Sequence, residues 1–379
     1  MNGIYIHVPF CVKICDYCDF SALAAPVRMY GEYVDLLLQE AKLRFEKCKK
    51  FISSLNTAYF GGGTPSLLPE KELLRLVDGL TSLGVHFEQL KEVSLECNPD
   101  SVSLSVLENA ASLGVNRFSL GIQTFDDRLL KNIGRRQTAA LGRESLFRLN
   151  EFAQKRCFRV SADLIFQLPG QTLESFLSDV RELAKTGIGH VSFYGLTVSP
   201  NSVLATHLKR GLFTLPEDLY ADMYDGGVEI LKEFGLERYE VSNFARKGEE
   251  SLHNLNYWKR GEYLGLGPGA HSFQGNVRTA APYRYSDWRN WVKRGCPDED
   301  LLKDILGRKE RIEEFIWLSL RTSNGLDLTE LLKKESFLIP ENKICSWVDR
   351  NFLAREGSRI FLVGQGWTMM DAVVEDFLP

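Results

Sequence analysis

Three cysteines within eight residues, Cys11-Val-Lys-Ile-Cys15-Asp-Tyr-Cys18, carry the strongest chemistry in the chain. Thiolates at this spacing can reach one metal centre from a single short loop. A structural zinc site takes four ligands, often as two separated pairs, yet the position two beyond Cys18 is Phe20 rather than a fourth cysteine. On a four-iron cubane, three thiolates leave one iron without a protein ligand and so open to a small molecule. A zinc ion completed by His7 or a distant cysteine, and chance clustering, are the competing readings. The spacing favours the cluster. Cys48, Cys97, Cys157, Cys296 and Cys345 are scattered in apolar or helical contexts and read as small buried hydrophobes.

Further candidates lie beyond the loop. Gly61-Gly62-Gly63-Thr64-Pro65 follows an apolar run, and glycines there let backbone N–H and C=O groups approach a ligand closely. Glu96, Gln123 and Asp163 each stand at or near the end of an apolar run, where a barrel residue faces the site rather than the core. Asp163 is the sharpest case, because a carboxylate inside Val160–Phe166 is costly if buried unpaired. An ion pair or a helix cap is the bland alternative. His7 reads as structural rather than as a ligand.

Alternating elements must position these groups. Strands are predicted at Ile4–Val8, Thr57–Phe60, Val93–Glu96, Arg117–Gly121, Val160–Phe166, His190–Tyr194 and Arg238–Val241. Between them, Val34, Leu37, Ala41, Phe45 and Cys48 form one helical stripe. Other helices are predicted at Pro69–Ser82, Ser103–Leu113, Ala139–Lys155, Leu173–Thr186 and Pro216–Phe234, several ending at Gly84, Gly114, Gly187 or Gly235. Strand–helix alternation means parallel strands with right-handed crossovers. Six or so units are too few for a closed eight-fold barrel, so the expected fold class is α/β, a partial (β/α)6 TIM-like barrel over residues 1–243. Residues 244–296 break the rhythm and read as a connecting segment. Over 297–379, helices at Gly307–Arg321, Leu328–Lys334 and Pro340–Phe352, a hairpin through Arg359–Val363 and a last helix near Trp367–Phe377 suggest a small, mainly helical, winged-helix-like domain. Its third helix carries Glu341, Lys343, Asp349 and Arg350 with no positive excess, which argues against a DNA-reading role.

Composition narrows the classes. The chain has 379 residues, 44 % hydrophobic and 25 % charged, as in an ordinary globular protein of about two domains. Lys plus Arg number 46 against 50 Asp plus Glu, a net charge of −4 with no block of like sign, which disfavours nucleic acid or anionic membrane as partner. No apolar run reaches the roughly 18 residues of a membrane span. The start, MNGIYIHVPF, lacks the pattern of a secretory signal, so a cytoplasmic location is expected.

The Cx3Cx2C loop after a first strand, followed by GGGTP, resembles the radical S-adenosylmethionine (SAM) superfamily. YIHVPFCVKICDYCDF, YFGGGTPSLL, SLECNPDS, NRFSLGIQTFDDRLLKNIGR, DLIFQLPGQT and HNLNYW followed by GLGPGAHSF resemble, in order and over nearly the whole chain, the oxygen-independent coproporphyrinogen III oxidase family (HemN-like), and within it the HemW branch. The resemblance implies a [4Fe–4S] cluster on Cys11, Cys15 and Cys18, with SAM chelating the open iron and accepting one electron into its sulfonium. It also implies that Tyr5, Tyr17, Gly62, Gly63, Thr64, Glu96, Gln123, Arg135 and Asp163 line SAM, with Thr197 and His271 approaching it less specifically. His253, Tyr257 and Trp258 of the HNxxYW block could offer an axial imidazole to haem iron and rings to a porphyrin face; a lone loop histidine is more often structural.

Two departures separate this chain from the oxidases. They carry a further cysteine where Phe20 stands, and an extension of several tens of residues before the motif. The HemW branch implies haem binding and delivery to acceptor haemoproteins. That is the leading expectation. Coproporphyrinogen III oxidation to protoporphyrinogen IX is the alternative, and a zinc-stabilised interaction protein the remote one. A homodimer joined near the cluster is compatible with the sequence.

Overall fold

The computed structural model describes residues 1–378. Six strands, Asn2–Val8, Thr57–Gly62, Glu92–Cys97, Arg117–Gln123, Arg159–Phe166 and His190–Gly195, run parallel and adjacent in chain order. The intervening helices include Arg28–Phe45, Glu70–Ser82, Leu104–Ser112, Ala139–Arg156, Leu173–Lys185 and Tyr220–Glu233. Side-chain oxygens of Ser103, Thr138 and Thr172 accept N–H groups at three of their starts. The partial barrel is as expected.

Its strands alternate, with Ile165 the apolar exception on the inner parity. Ile4, Ile6, Val8, Ala58, Phe60, Val93, Leu95, Phe118, Leu120, Ala162, Leu164, Val191 and Phe193 are buried in one core beneath the helices. The opposite parity is polar: Tyr5, His7, Tyr59, Ser94, Glu96, Arg117, Ser119, Ser161, Asp163, His190, Ser192 and Tyr194. Successive strand residues point to opposite faces, so an apolar exterior under helices leaves a polar lumen.

The sheet continues past the barrel on both sides, a departure from the expected organisation. Beside His190–Gly195 lie Asn243–Ala245 and then Glu237–Glu240, both antiparallel to their neighbours. The seventh predicted strand therefore forms, but as an antiparallel edge and not as another parallel unit. Beside Asn2–Val8, Glu262–Leu266 pairs in parallel, followed by antiparallel His271–Gln274, Val277–Ala280 and Leu302–Ile305. The segment expected to be a connector thus adds strands to the barrel sheet, and Leu302–Ile305, from the span expected to be the C-terminal domain, joins them in a sheet of twelve strands. Helix Leu252–Trp258, capped by Ser251, packs against the strands Asn2–Val8 and Thr57–Gly62.

The C-terminal part has helices Arg308–Leu320, Leu328–Glu335, Glu341–Asp349 and Met370–Phe377 around a three-stranded sheet ordered Leu326–Asp327, Arg359–Leu362, Leu353–Glu356. No helix among the described residues is long and apolar enough to cross a membrane. Cys97 and Cys296 are buried as expected and Cys48 is half-buried. Cys157 and Cys345 are exposed, which corrects the reading of them as buried hydrophobes. Cys157 sits in the left-handed C-cap of its helix (φ 57°), outside the packed stripe.

Candidate functional site

The three-cysteine loop leaves the barrel at the C-terminal end of its first strand and is tied down at several points. Leu23 N–H donates to the Pro9 carbonyl at 2.8 Å, Asp16 N–H to the Ile133 carbonyl at 3.0 Å, and Leu204 N–H to the Asp16 carbonyl at 2.7 Å. Cys18 N–H closes a turn onto the Cys15 carbonyl at 3.1 Å. Thr64 Oγ1 donates to Cys11 Sγ at 3.7 Å, linking the loop to the glycine-rich strand end. Burial pushes the Cys11 thiol up and the Cys18 thiol up to about 11, so ligation itself must drive off their protons.

Among the described residues no three His, Cys, Asp or Glu side chains gather closely enough to hold a single metal ion. His7 does not complete one: its Nδ1 accepts from Tyr5 at 3.1 Å and its Nε2 donates to the Ser21 carbonyl at 2.8 Å. These contacts bear out the structural reading of His7 and remove the zinc site that used it. A cubane asks for something different, since each thiolate meets its own iron and the sulfurs stand further apart. Three half-buried thiols on one anchored loop fit that demand.

The glycines serve the loop directly. A Cβ on Gly63 would lie 2.7 Å from the Phe10 carbonyl oxygen, and one on Gly62 (φ 107°) 2.4 Å from the His7 ring. Gly63 N–H donates to Val8, Thr64 N–H to Phe10, and Gly62 N–H to Glu96 Oε2 at 3.0 Å. The expectation that these N–H groups approach a ligand is therefore corrected: the protein itself takes them, to clamp loop to barrel.

Several predicted side chains meet at this mouth. Glu96 accepts from Tyr59 at 2.9 Å as well as from Gly62; burial, with Asp163 adding to it, raises its pKa to about 7. Asp163 accepts from Ser119 Oγ at 3.3 Å, and burial lifts it to about 6. Among the described residues neither carboxylate pairs with a cation, which sets aside the bland ion-pair reading of Asp163. Arg135 donates to Asn98 Oδ1 at 2.9 Å beside Tyr17 and Cys15, and its buried Nε has no partner among the described residues. Burial raises Tyr17 to about 12, and its ring packs with Leu129, Ile133, Ile165 and Leu168. Gln123 is buried at a left-handed φ of 69°, where the register with the next strand shifts; such strain collects at functional sites. Thr197 lies exposed on the loop after the His190–Gly195 strand.

Tyr5, His271, Tyr257 and Trp258 meet in the wall of an adjoining cavity of about 620 Å³. Phe20, Tyr263, Phe273, Tyr283, Arg260, Arg278 and Glu314 complete much of that wall. Sequence reasoning missed these: Tyr263, Phe273 and Arg278 stand on the unforeseen strands, which bring Phe20 of the cysteine loop and Glu314 of the helix Arg308–Leu320 to the same wall. His253 is not among them. It is buried, with Nδ1 at 2.8 Å from Thr57 Oγ1 and Nε2 at 2.8 Å from the Tyr257 hydroxyl, and burial lowers its pKa to about 4. Both nitrogens are spent inside the protein, so the expectation of an axial imidazole from His253 is corrected.

A partial barrel with a polar lumen and three free thiols at its mouth is the architecture of the radical SAM superfamily, whose family model matches residues 5–183. The chain is 34 % identical over 381 residues to heme chaperone HemW of Lactococcus lactis subsp. lactis (strain IL1403), covering 100 % of this chain and 97 % of that protein. It is 33 % identical to heme chaperone HemW of Bacillus subtilis (strain 168), covering 100 % and 99 %. A mouse relative, radical S-adenosyl methionine domain-containing protein 1, mitochondrial, is 34 % identical over 86 % of this chain and 74 % of its own. In fold the chain is similar to coproporphyrinogen III oxidase (HemN) from Escherichia coli, with a TM-score of 0.83 and 21 % identity over 99 % of this chain and 89 % of that one. The chain belongs to the HemW family of the radical SAM superfamily. Membership implies a [4Fe–4S] cluster and SAM.

Proposed function

We propose that this protein is a haem chaperone on a radical SAM barrel, binding haem and delivering it to acceptor haemoproteins. The full-length match to relatives named heme chaperone HemW carries the reading. The aromatic cavity of about 620 Å³, opening beside Asp19, Phe20 and Ser21 of the cysteine loop, supports it. Cofactor sites are usually concave, mostly apolar and furnished with a few placed polar groups.

Cys11, Cys15 and Cys18 would hold the cluster, which with SAM supplies one-electron chemistry when bound. The unpartnered buried Nε of Arg135 suits the methionyl carboxylate, and Glu96 and Asp163 offer acceptors toward the lumen. Tyr5, Tyr17, Thr64, Gln123 and Thr197 are the remaining side chains assigned to SAM, with Gly62 and Gly63 shaping the loop above it; His271, expected to approach SAM, stands in the aromatic cavity wall and is left out of that set.

Anaerobic preparation with iron, sulfide and haem quantification tests the reading. The reconstituted protein should bind hemin saturably with a Soret band, and alanine at any of the three cysteines should cut iron content severely. Incubation with coproporphyrinogen III, SAM and reductant should give no protoporphyrinogen IX. Absence of saturable hemin binding would end the reading.

A further inference from the structure

Given that reading, the protein must hold an iron porphyrin somewhere, and its histidines can be sorted by what their rings already do. His7, His190 and His253 each use both nitrogens: His7 on Tyr5 and Ser21, His190 on Ser161 at 2.7 Å and Tyr239 at 2.8 Å, His253 on Thr57 and Tyr257. His86 is exposed before a short 3-10 turn, and His207 faces Phe213 on the helix Val203–Lys209. His271 is different. It opens the strand His271–Gln274, is exposed, and stands in the wall of the aromatic cavity.

The same wall carries two guanidinium groups. Arg278 pairs with Glu314 at 2.7 Å, and Arg260 lies 3.4 Å from Glu314 and 3.5 Å from Glu335. The Arg260–Glu314 contact misses hydrogen-bond geometry, leaving Arg260 Nε and Glu314 Oε2 buried without a hydrogen-bond partner among the described residues. The pair is therefore held by charge at 3.4 Å without a hydrogen bond, and a ligand carboxylate would have to displace Glu314 to hydrogen-bond the guanidinium. Trp258 Nε1 is a further unpartnered buried donor in the wall.

We propose that haem sits in this cavity with His271 as axial ligand to its iron and its two propionates toward Arg260 and Arg278. The proposal rests on the haem-chaperone reading and goes beyond it by assigning the site and the ligand. The neutral imidazole donates a nitrogen lone pair to ferric iron; one coordination bond forms, and neither electron nor proton transfer is needed. Partial desolvation of the ring in the cavity wall, and then the nearby Arg278, lower the His271 pKa and so favour the neutral imidazole. Tyr257, Tyr263 and Phe273 supply rings for the macrocycle faces. Glu314 belongs to the helix Arg308–Leu320, so seating the propionates would exchange an ion pair between the sheet extension and the C-terminal part.

Hemin titration of the full chain, of His271→Ala, of His271→Met and of Arg260→Gln/Arg278→Gln tests this. The wild type should bind saturably with a nitrogen-ligated ferric spectrum. His271→Ala should lose that signature and bind at least tenfold more weakly, with the signature restored by added imidazole. His271→Met should bind with an altered Soret position and electron paramagnetic resonance spectrum. The double arginine variant should weaken binding about tenfold while leaving the ligation spectrum unchanged. Hemin binding by His271→Ala with wild-type affinity and spectrum overturns the assignment but not the chaperone reading. Failure of the wild type to bind hemin overturns both.

Discussion

Gly63 and Phe10 touch through their main chains: a Cβ on Gly63 would lie 2.7 Å from the Phe10 carbonyl oxygen and 2.9 Å from its nitrogen. Gly63, which follows the strand Thr57–Gly62, and the segment opening the cysteine loop are therefore one packed unit, closed by Thr64 N–H donating to the Phe10 carbonyl at 2.7 Å.

Gly63→Ala should accordingly damage the cluster site from a distance. Backbone cannot rotate aside as a side chain can, so the loop must shift, at a cost of about 1–3 kcal/mol. The reconstituted variant should hold markedly less iron and sulfide per chain than wild type while far-UV circular dichroism stays the same. Full iron content would mean that the loop tolerates the displacement.

Glu96 makes stability depend on pH. Its folded-state pKa of about 7 lies above the ordinary carboxylate value, so folding favours the protonated form. That contribution is fully present below about pH 4.5 and is lost as pH rises through 7. The loss reaches a few kcal/mol at most, because each tenfold change in proton affinity is worth about 1.4 kcal/mol. Glu96→Gln removes this titration and keeps acceptor capacity for Gly62. Urea midpoints measured from pH 5 to 8 without ligands should converge at low pH and favour the glutamine variant above 7; parallel profiles would contradict the assignment.

His253→Ala separates a structural histidine from a haem ligand. The change strands Thr57 Oγ1 and the Tyr257 hydroxyl, each within 2.8 Å of the ring, and should cost about 1–3 kcal/mol for each group left unsatisfied. Thermal unfolding should fall several degrees, whereas the hemin ligation spectrum should be retained. Loss of that spectrum in a folded variant would return the axial role to His253.

The six parallel strands and their helices were legible in the sequence because each carries a clear period. The cysteine loop declared itself by residue type alone. The sheet extension did not: Leu302–Ile305 is exposed throughout, with Leu302 and Ile305 over 70 % exposed, so no buried face imposed an alternating pattern. The cavity depends on that extension, which is why Arg260, Arg278 and Tyr263 gave no local signal. The sequence left the structural and the axial role of His253 both open because its partner Thr57 lies 196 residues away. The polar parity of the strands, from Tyr5 through Ser94 and Asp163 to Tyr194, was present in the sequence and would have revealed the lumen.

Glu92 connects the barrel to the cavity through a helix end. Its carboxylate, fully buried, accepts Leu252 N–H at 3.0 Å, His253 N–H at 2.9 Å and Ser251 Oγ at 3.3 Å, so an acidic group from a strand caps the helix Leu252–Trp258. Negative charge at a helix N-terminus meets both the free N–H groups and the macrodipole. The same carboxylate lies 3.3 Å from Arg159 and 4.0 Å from Arg117, which is only 2 % exposed. Glu92→Ala should therefore destabilise the fold by about 3–5 kcal/mol, because it strands a buried cation as well as uncapping the helix. Glu92→Gln keeps one acceptor for the cap but no charge for Arg117, and should fall between. Because the capped helix carries Tyr257 and Trp258 into the cavity wall, the glutamine variant should also bind hemin more weakly with its ligation spectrum unchanged. Unfolding midpoints together with hemin titration check both effects, and a glutamine variant as unstable as the alanine one would show that the charge, rather than the cap, dominates.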